Sequence, residues 1–156
     1  MNNISLKPWS VKSEAIDLIQ EVAQLFAKHD LCFGHGTDNP LDEANALILF
    51  VLGIDNLDAE ALSSKRVSHE DYERIRELVN QRIYDRKPLA YLIQEAFFCG
   101  HKFYVDERVL VPRSPIAELI QNQFLPWIEA SSVQCVLDVA TGSGCLAIAI
   151  AKSFPG

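Results

Sequence analysis

Asp138-Val139-Ala140-Thr141-Gly142-Ser143-Gly144, with an apolar run on each side, constrains this chain more than any other stretch. Val133-Gln134-Cys135-Val136-Leu137 before it has the apolar, β-branched composition of a buried parallel strand. Cys145-Leu146-Ala147-Ile148-Ala149-Ile150-Ala151-Lys152 after it reads as an apolar helix. Strand, glycine turn and helix form the opening unit of a nucleotide-type α/β fold. The glycines let the backbone approach a ligand, and the helix N-terminus offers N–H groups to polar or anionic atoms. One parallel strand cannot make a sheet, because both its faces need neighbours. The sequence therefore predicts the first elements of a larger α/β domain, in a chain that is a piece of a longer protein. Residues 133–156 are expected to expose an unpaired strand and an apolar helix, and so to be mobile or to pair with another molecule.

The loop's chemistry narrows its ligand. Gly142-Ser143-Gly144-Cys145-Leu146-Ala147 satisfies the loose dinucleotide pattern G-x-G-x-x-G/A. A carboxylate at the start of the loop, Asp138, repels a pyrophosphate. S-adenosylmethionine carries no phosphate; its sulfonium and amino groups are cationic, and a nearby carboxylate favours both. The pattern resembles the first motif of class I S-adenosylmethionine-dependent methyltransferases, with Ala140 where the first glycine often sits. The candidate cofactor residues are Asp138, Thr141, Gly142, Ser143 and Gly144, with Ala140 contributing backbone alone. A tight turn whose glycines serve only close packing is the alternative.

Upstream, the periodicity is helical. Ser13 can cap a helix running to about His29, with Ile16, Ile19, Val22, Ala23 and Phe26 on one face. Residues 30–39 read as a loop. A second helix starts near Pro40, carries Ala44, Leu47, Ile48, Val51 and Leu52 inward, and stops at Gly53. Residues 58–64 suggest a short helix. Ser68 and Asp71 open another that buries Tyr72, Ile75, Val79 and Ile83 and extends to about Arg86. A short helical turn follows from Pro88 to Ile93. The period then changes: Phe97, Cys99, His101, Phe103 and Val105 alternate with Phe98, Gly100, Lys102 and Tyr104. Asp106-Glu107-Arg108 reads as the polar turn of a hairpin that returns through Val109-Leu110-Val111. Ser114 and Pro115 then start a helix with Ile116, Leu119, Ile120 and Phe124 inward. The fold class is mixed: a helical N-terminal bundle over residues 1–93, a β-hairpin connector over 94–113, and the start of a truncated Rossmann-like domain over 114–156.

Composition excludes several classes. Apolar residues make up 49% and charged ones 22%, enough for a core and too apolar for broad disorder. The first residues lack the blocks of a signal peptide, and the longest apolar run, Ala44 to Leu52, is too short to cross a bilayer. A cytoplasmic protein with no membrane partner is expected. The four cysteines, Cys32, Cys99, Cys135 and Cys145, form no C-x-x-C pair, so neither zinc nor a disulfide framework is indicated. Cys135 and Cys145 are expected to be buried thiols. His29, His35, His69 and His101 show no metal-ligand spacing. Fourteen basic residues against twenty-one acidic ones give a net charge of −7. Direct nucleic-acid binding is disfavoured, and a basic protein partner is favoured, although acidity also serves solubility alone.

The connector carries a more specific likeness. Arg86-Lys87-Pro88-Leu89-Ala90-Tyr91-Leu92, Phe98-Cys99-Gly100-His101-Lys102-Phe103-Tyr104-Val105 and Val109-Leu110-Val111-Pro112-Arg113 together resemble the HemK-like protein glutamine methyltransferases. The likeness runs in order along essentially the whole chain. It implies a helical substrate-recognition domain, a hairpin linker and a class I methyltransferase domain using S-adenosylmethionine. Pro112-Arg113-Ser114-Pro115 and Phe98-Cys99-Gly100-His101 look more like the branch acting on large-subunit ribosomal protein number three than the release-factor branch. The family's Asn-Pro-Pro-Tyr loop, which grips the substrate amide, does not occur in these 156 residues, so no catalytic residue is assigned. This chain alone is expected to be inactive. Arg113, fixed between two prolines, is a candidate for contact with cofactor or substrate, or for an ion pair with Glu118. Phe98 and Phe103 either line the cofactor pocket or pack a core. A non-catalytic helical binding module and a dinucleotide oxidoreductase are the competing readings.

Overall fold

The computed structural model describes residues 6–8, 14–34, 36–54, 62 and 65–154. The chain divides into two compact units, residues 1–93 and 94–156.

The first unit is helical. Helix α1, Ala15–Lys28, buries Ala15, Leu18, Ile19, Val22 and Phe26, one stripe at helical spacing. Its inward face is rotated from the expected one: Leu18 is inside and Ile16 is exposed. The residue before the helix is Glu14, which makes no side-chain cap; the expected cap, Ser13, lies outside the described residues. Helix α2, Pro40–Leu52, begins at Asn39, whose side chain accepts a hydrogen bond from the Asp42 N–H at 2.9 Å. It ends at Gly53, with φ of +64°. There the Gly53 N–H donates to the Phe50 carbonyl and the Ile54 N–H to the Leu49 carbonyl, the paired bonds of a Schellman stop. Helix α3, His69–Tyr84, starts with Ser68 accepting from the Asp71 N–H at 3.0 Å. The short helix α4 spans Leu89–Ile93. Of the helix expected over 58–64, only residue 62 lies among the described residues.

Val22, Phe26, Leu47, Ile48, Ile75 and Val79 are fully enclosed where α1, α2 and α3 meet. Burying side chains of this kind stabilises by about 1.5–3 kcal/mol each. Beside them Glu43 and Arg82 are buried as an ion pair through Arg82 Nε and Glu43 Oε1. Arg82 Nη2 also donates to the Cys32 carbonyl at 2.9 Å, and the Thr37 hydroxyl to Glu43 Oε2 at 3.0 Å. The pair thereby ties the 30–39 loop to α2 and α3. Arg86, just past α3, donates to the His29 and Asp30 carbonyls at 3.0 and 2.9 Å, closing the end of α1.

The second unit opens with an antiparallel hairpin, β1 (Glu95–Phe98) and β2 (His101–Tyr104), pairing Ala96 with Phe103 and Phe98 with His101. The turn is Cys99-Gly100, not Asp106-Glu107-Arg108, and both its residues have positive φ, +48° and +76°. Two left-handed residues give the tight turn whose twist suits a hairpin. A turn here breaks the single alternation expected from 97 to 105: Ala96 and Phe98 are buried before it and Phe103 and Val105 after it, whereas Phe97 and Tyr104 are exposed. Residues 109–111 form no strand. Helix α5, Ile116–Gln121, is shorter than expected; Ile120 is buried, Leu119 and Phe124 are half-buried, and Ile116 is exposed. A 3-10 turn covers Ala130–Ser132, and helix α6 spans Cys145–Ser153, packed on α5.

The segment expected as the first parallel strand is unpaired and exposed, as the want of a neighbouring strand led the sequence to predict. Residues 133–138 belong to no strand or bridge among the described residues, and Leu137 is 84% exposed. Strand geometry needs a ladder partner, and no neighbouring strand is here. For the same reason Cys135 is exposed rather than buried, and Cys145 is half-buried.

Candidate functional site

The candidate residues are all carried by the second unit. Leading into α6, the backbone takes positive φ at Ala140 (+62°), Gly142 (+58°) and Gly144 (+77°). Gly144 stands at the start of the helix. A Cβ there would lie 3.8 Å from Ile148 Cδ1 and 3.9 Å from Thr141 Cγ2, ordinary contacts. Glycine is needed at this point for its φ, not for space.

Two bonds hold the loop: the Thr141 hydroxyl donates to the Asp138 carbonyl at 3.1 Å, and the Gly144 N–H to the Thr141 carbonyl at 2.9 Å. The Ile148 N–H then donates to the Gly144 carbonyl at 3.0 Å and starts the helical ladder. Gly144 supplies no side-chain cap, so the first N–H groups of α6 are satisfied by no capping residue. Asp138 is half-buried, and its Oδ2 is fully enclosed without a hydrogen-bond partner. A buried carboxylate oxygen in that condition is costly unless a donor or cation reaches it. The loop thus sets an unsatisfied acceptor near a helix end that attracts anions.

Two clefts border the loop. One, of about 300 Å³, runs between the 133–138 segment and α6, lined by Val136, Asp138, Ala147 and Ile150 among others. The other, also about 300 Å³, is lined by Tyr104, Asp106, Arg108, Val109 and Ser143. At its edge Arg108 makes an ion pair with Asp106 at 2.5 Å, which holds the Asp106 carboxyl down to about 2. Asp106 and Arg108, expected in a polar turn, instead share this cleft with Ser143 of the glycine loop, and local spacing carries no signal of that encounter.

Phe98 and Phe103 are both buried on the inner face of the hairpin and line neither cleft. Arg113 is exposed beside buried Pro112 and also lines neither. Burial pushes the Cys99 thiol above its usual value, with a smaller push from Cys145.

Residues 17–93 match the PrmC N-terminal domain. Across both units the chain is similar to a protein of Xylella fastidiosa (strain 9a5c) named "Ribosomal protein uL3 glutamine methyltransferase". The two are 44% identical over 140 residues, 90% of this chain and 45% of that protein. A protein of the same name from Burkholderia pseudomallei (strain K96243) is 41% identical over 140 residues, 89% of this chain and 46% of its own length. The chain spans less than half the length of these relatives. The match to the PrmC N-terminal domain, with this identity over about nine-tenths of the chain, makes the chain similar along nearly all its length to the N-terminal part of proteins named as ribosomal protein uL3 glutamine methyltransferases.

Proposed function

We propose that this chain is the N-terminal part of an S-adenosylmethionine-dependent methyltransferase acting on the side-chain amide nitrogen of a glutamine in ribosomal protein uL3. The observation that carries this is the identity of 41–44% over about nine-tenths of the chain to proteins named for that reaction. Residues 1–93 are read as the substrate-recognition domain, 94–113 as the connector, and 114–156 as the opening of a Rossmann-like methyltransferase domain. A basic ribosomal protein, met in the cytoplasm, suits a chain of net charge −7.

The loop's chemistry fits the cofactor. The methionine part of S-adenosylmethionine bears an ammonium and a carboxylate. Asp138 Oδ2 is an acceptor awaiting a cation, and the start of α6 offers N–H groups to an anion. When bound, the cofactor supplies a methyl group made electrophilic by its sulfonium. Ala140, Thr141, Gly142, Ser143 and Gly144 shape the backbone around it; Asp138 orients the ammonium. No residue here is assigned to gripping the glutamine amide, since no Asn-Pro-Pro-Tyr occurs in the chain.

The test uses the full-length parent. Incubated with S-adenosylmethionine and unmethylated uL3, it is expected to add one methyl group to a glutamine, located by peptide mass spectrometry. Asp138→Asn is expected to raise KM for the cofactor about tenfold, as loss of a charge-assisted contact of ~1.4 kcal/mol requires. Methylation of a release factor with uL3 left untouched would move the protein to the other branch of the family. Transfer to neither substrate would end the methyltransferase reading.

A further inference from the structure

We propose that Gln123 is a positioning residue for the glycine loop: it secures the C-terminal end of α6 and, through that helix, sets where the loop stands at the other end. The proposal rests on the reading of Asp138 to Gly144 as the cofactor loop.

The protein contains its own control. Helices α2 and α5 end in the same hydrogen-bond pattern. After α2 the Gly53 N–H donates to Phe50 and the Ile54 N–H to Leu49; after α5 the Gln123 N–H donates to Ile120 and the Phe124 N–H to Leu119. The first stop places glycine at the left-handed position, with φ of +64°. The second places Gln123 there, at +50°, and follows it with Phe124 at +57°. Two adjacent side-chain-bearing residues in this region are strained, and such strain persists only where the surroundings hold it. What holds it is visible. Gln123 Nε2 donates to the Ser153 carbonyl, in the last turn of α6, at 2.7 Å. The Phe124 ring meets the Phe154 ring at 6.3 Å between centroids. Glycine at 123 would relax the turn but could not donate to the Ser153 carbonyl.

α6 depends on this hold. Ala149 is its one buried residue among those described, and Ile148 is exposed. The 133–138 segment beside it is in no sheet. Its nine residues form a rod of roughly 13 Å, with the clamp at one end and Gly144 at the other. A helix moves as a unit, so loosening its last turn shifts its first.

The experiment compares Gln123→Gly and Gln123→Lys with the native 156-residue chain by amide hydrogen exchange. Gln123→Gly is expected to speed exchange about fivefold at the amides of residues 142–147 as well as in the last turn. Gln123→Lys is expected to restore protection, because an ammonium reaches the same carbonyl and suits the negative end of a helix. Faster exchange confined to residues 151–154, or no rescue by lysine, would overturn the proposal. In the full-length parent, Gln123→Gly is expected to raise KM for S-adenosylmethionine about threefold with kcat little changed, the sign of lost uniform binding. An unchanged KM in an active parent also overturns it. A native parent without activity strikes the functional reading instead, and the exchange result still decides the coupling.

Discussion

Ala140 carries its Cβ through a φ of +62°, where the methyl crowds the following carbonyl. The two glycines after it make the same excursion without that cost. Ala140→Gly is expected to stabilise the second unit by about 0.5–1 kcal/mol, the relief of strain less the extra entropy glycine loses on folding. Thermal unfolding followed by circular dichroism measures it, and a lowered midpoint would show that the methyl makes a contact worth more than the strain. Glu43 and Arg82 pose the opposite case, two charges removed from water together. Arg82→Met alone leaves the Glu43 carboxylate enclosed and is expected to cost about 3–5 kcal/mol in urea unfolding. Glu43→Leu with Arg82→Met is expected to recover most of that loss, because an apolar pair of similar volume needs no compensation. At the surface, Asp106 titrates near 2 because Arg108 donates hydrogen bonds to it from side chain and backbone. A depressed carboxyl pKa stabilises the folded state above the unfolded value of about 3.9, and that contribution disappears as pH falls through about 2. Arg108→Ala is expected to return Asp106 toward the ordinary carboxylate range in an NMR titration; an unmoved value would mean that Arg108 is not the cause.

At the level of the element, helix stops and starts were readable because their chemistry is local. Asn39 lay within the expected loop rather than as a cap, but Pro40, Gly53 and Ser68 mark the ends of α2 and α3 where the structure has them. α6 begins at Cys145, as its apolar run predicts, and continues to Ser153. The turn before α6 was equally legible from its glycines, and Gly142 and Gly144 take positive φ there. What escaped the sequence was decided by partners distant along the chain. The inward side of α1 depends on how α2 packs against it, so Leu18 and Ile16 exchanged places. The hairpin's parity hung on one turn: Cys99 is a poor advertisement for a left-handed residue, and the better polar turn at Asp106 drew the reading away. Gly100 is the residue that permits this turn, with φ of +76°. Gly100→Ala is expected to destabilise the hairpin by about 1 kcal/mol, measured by thermal melting. No loss would mean that the turn relaxes to another type. The 133–138 segment is unpaired for a different reason: its composition is that of a strand, but a strand is a relation between two segments, and composition describes only one.

For the molecule as a whole, the division at residue 93 separates a unit that encloses its own core from one that leaves much apolar surface uncovered. Leu110, Trp127, Leu137 and Val139 are all more than two-thirds exposed in the second unit. Residues 1–93 made alone are therefore expected to melt in one cooperative step at a temperature close to that of the same unit in the chain. A broad, non-cooperative loss of helix would show that the second unit supports the first. In calorimetric titration, the 156-residue chain is expected to give no micromolar binding of S-adenosylmethionine, because a class I site draws on loops from several strands. The boundary also has a meaning in time. A chain emerges from the ribosome at roughly 5–20 residues per second, whereas small helical units fold in microseconds to milliseconds. With the described core residues of α1 to α4 all drawn from the first unit, that unit can close while residues 94–156 are still being made. The glycine loop would then be made after the first unit has folded, and a fault in the later half is expected to leave the earlier one intact.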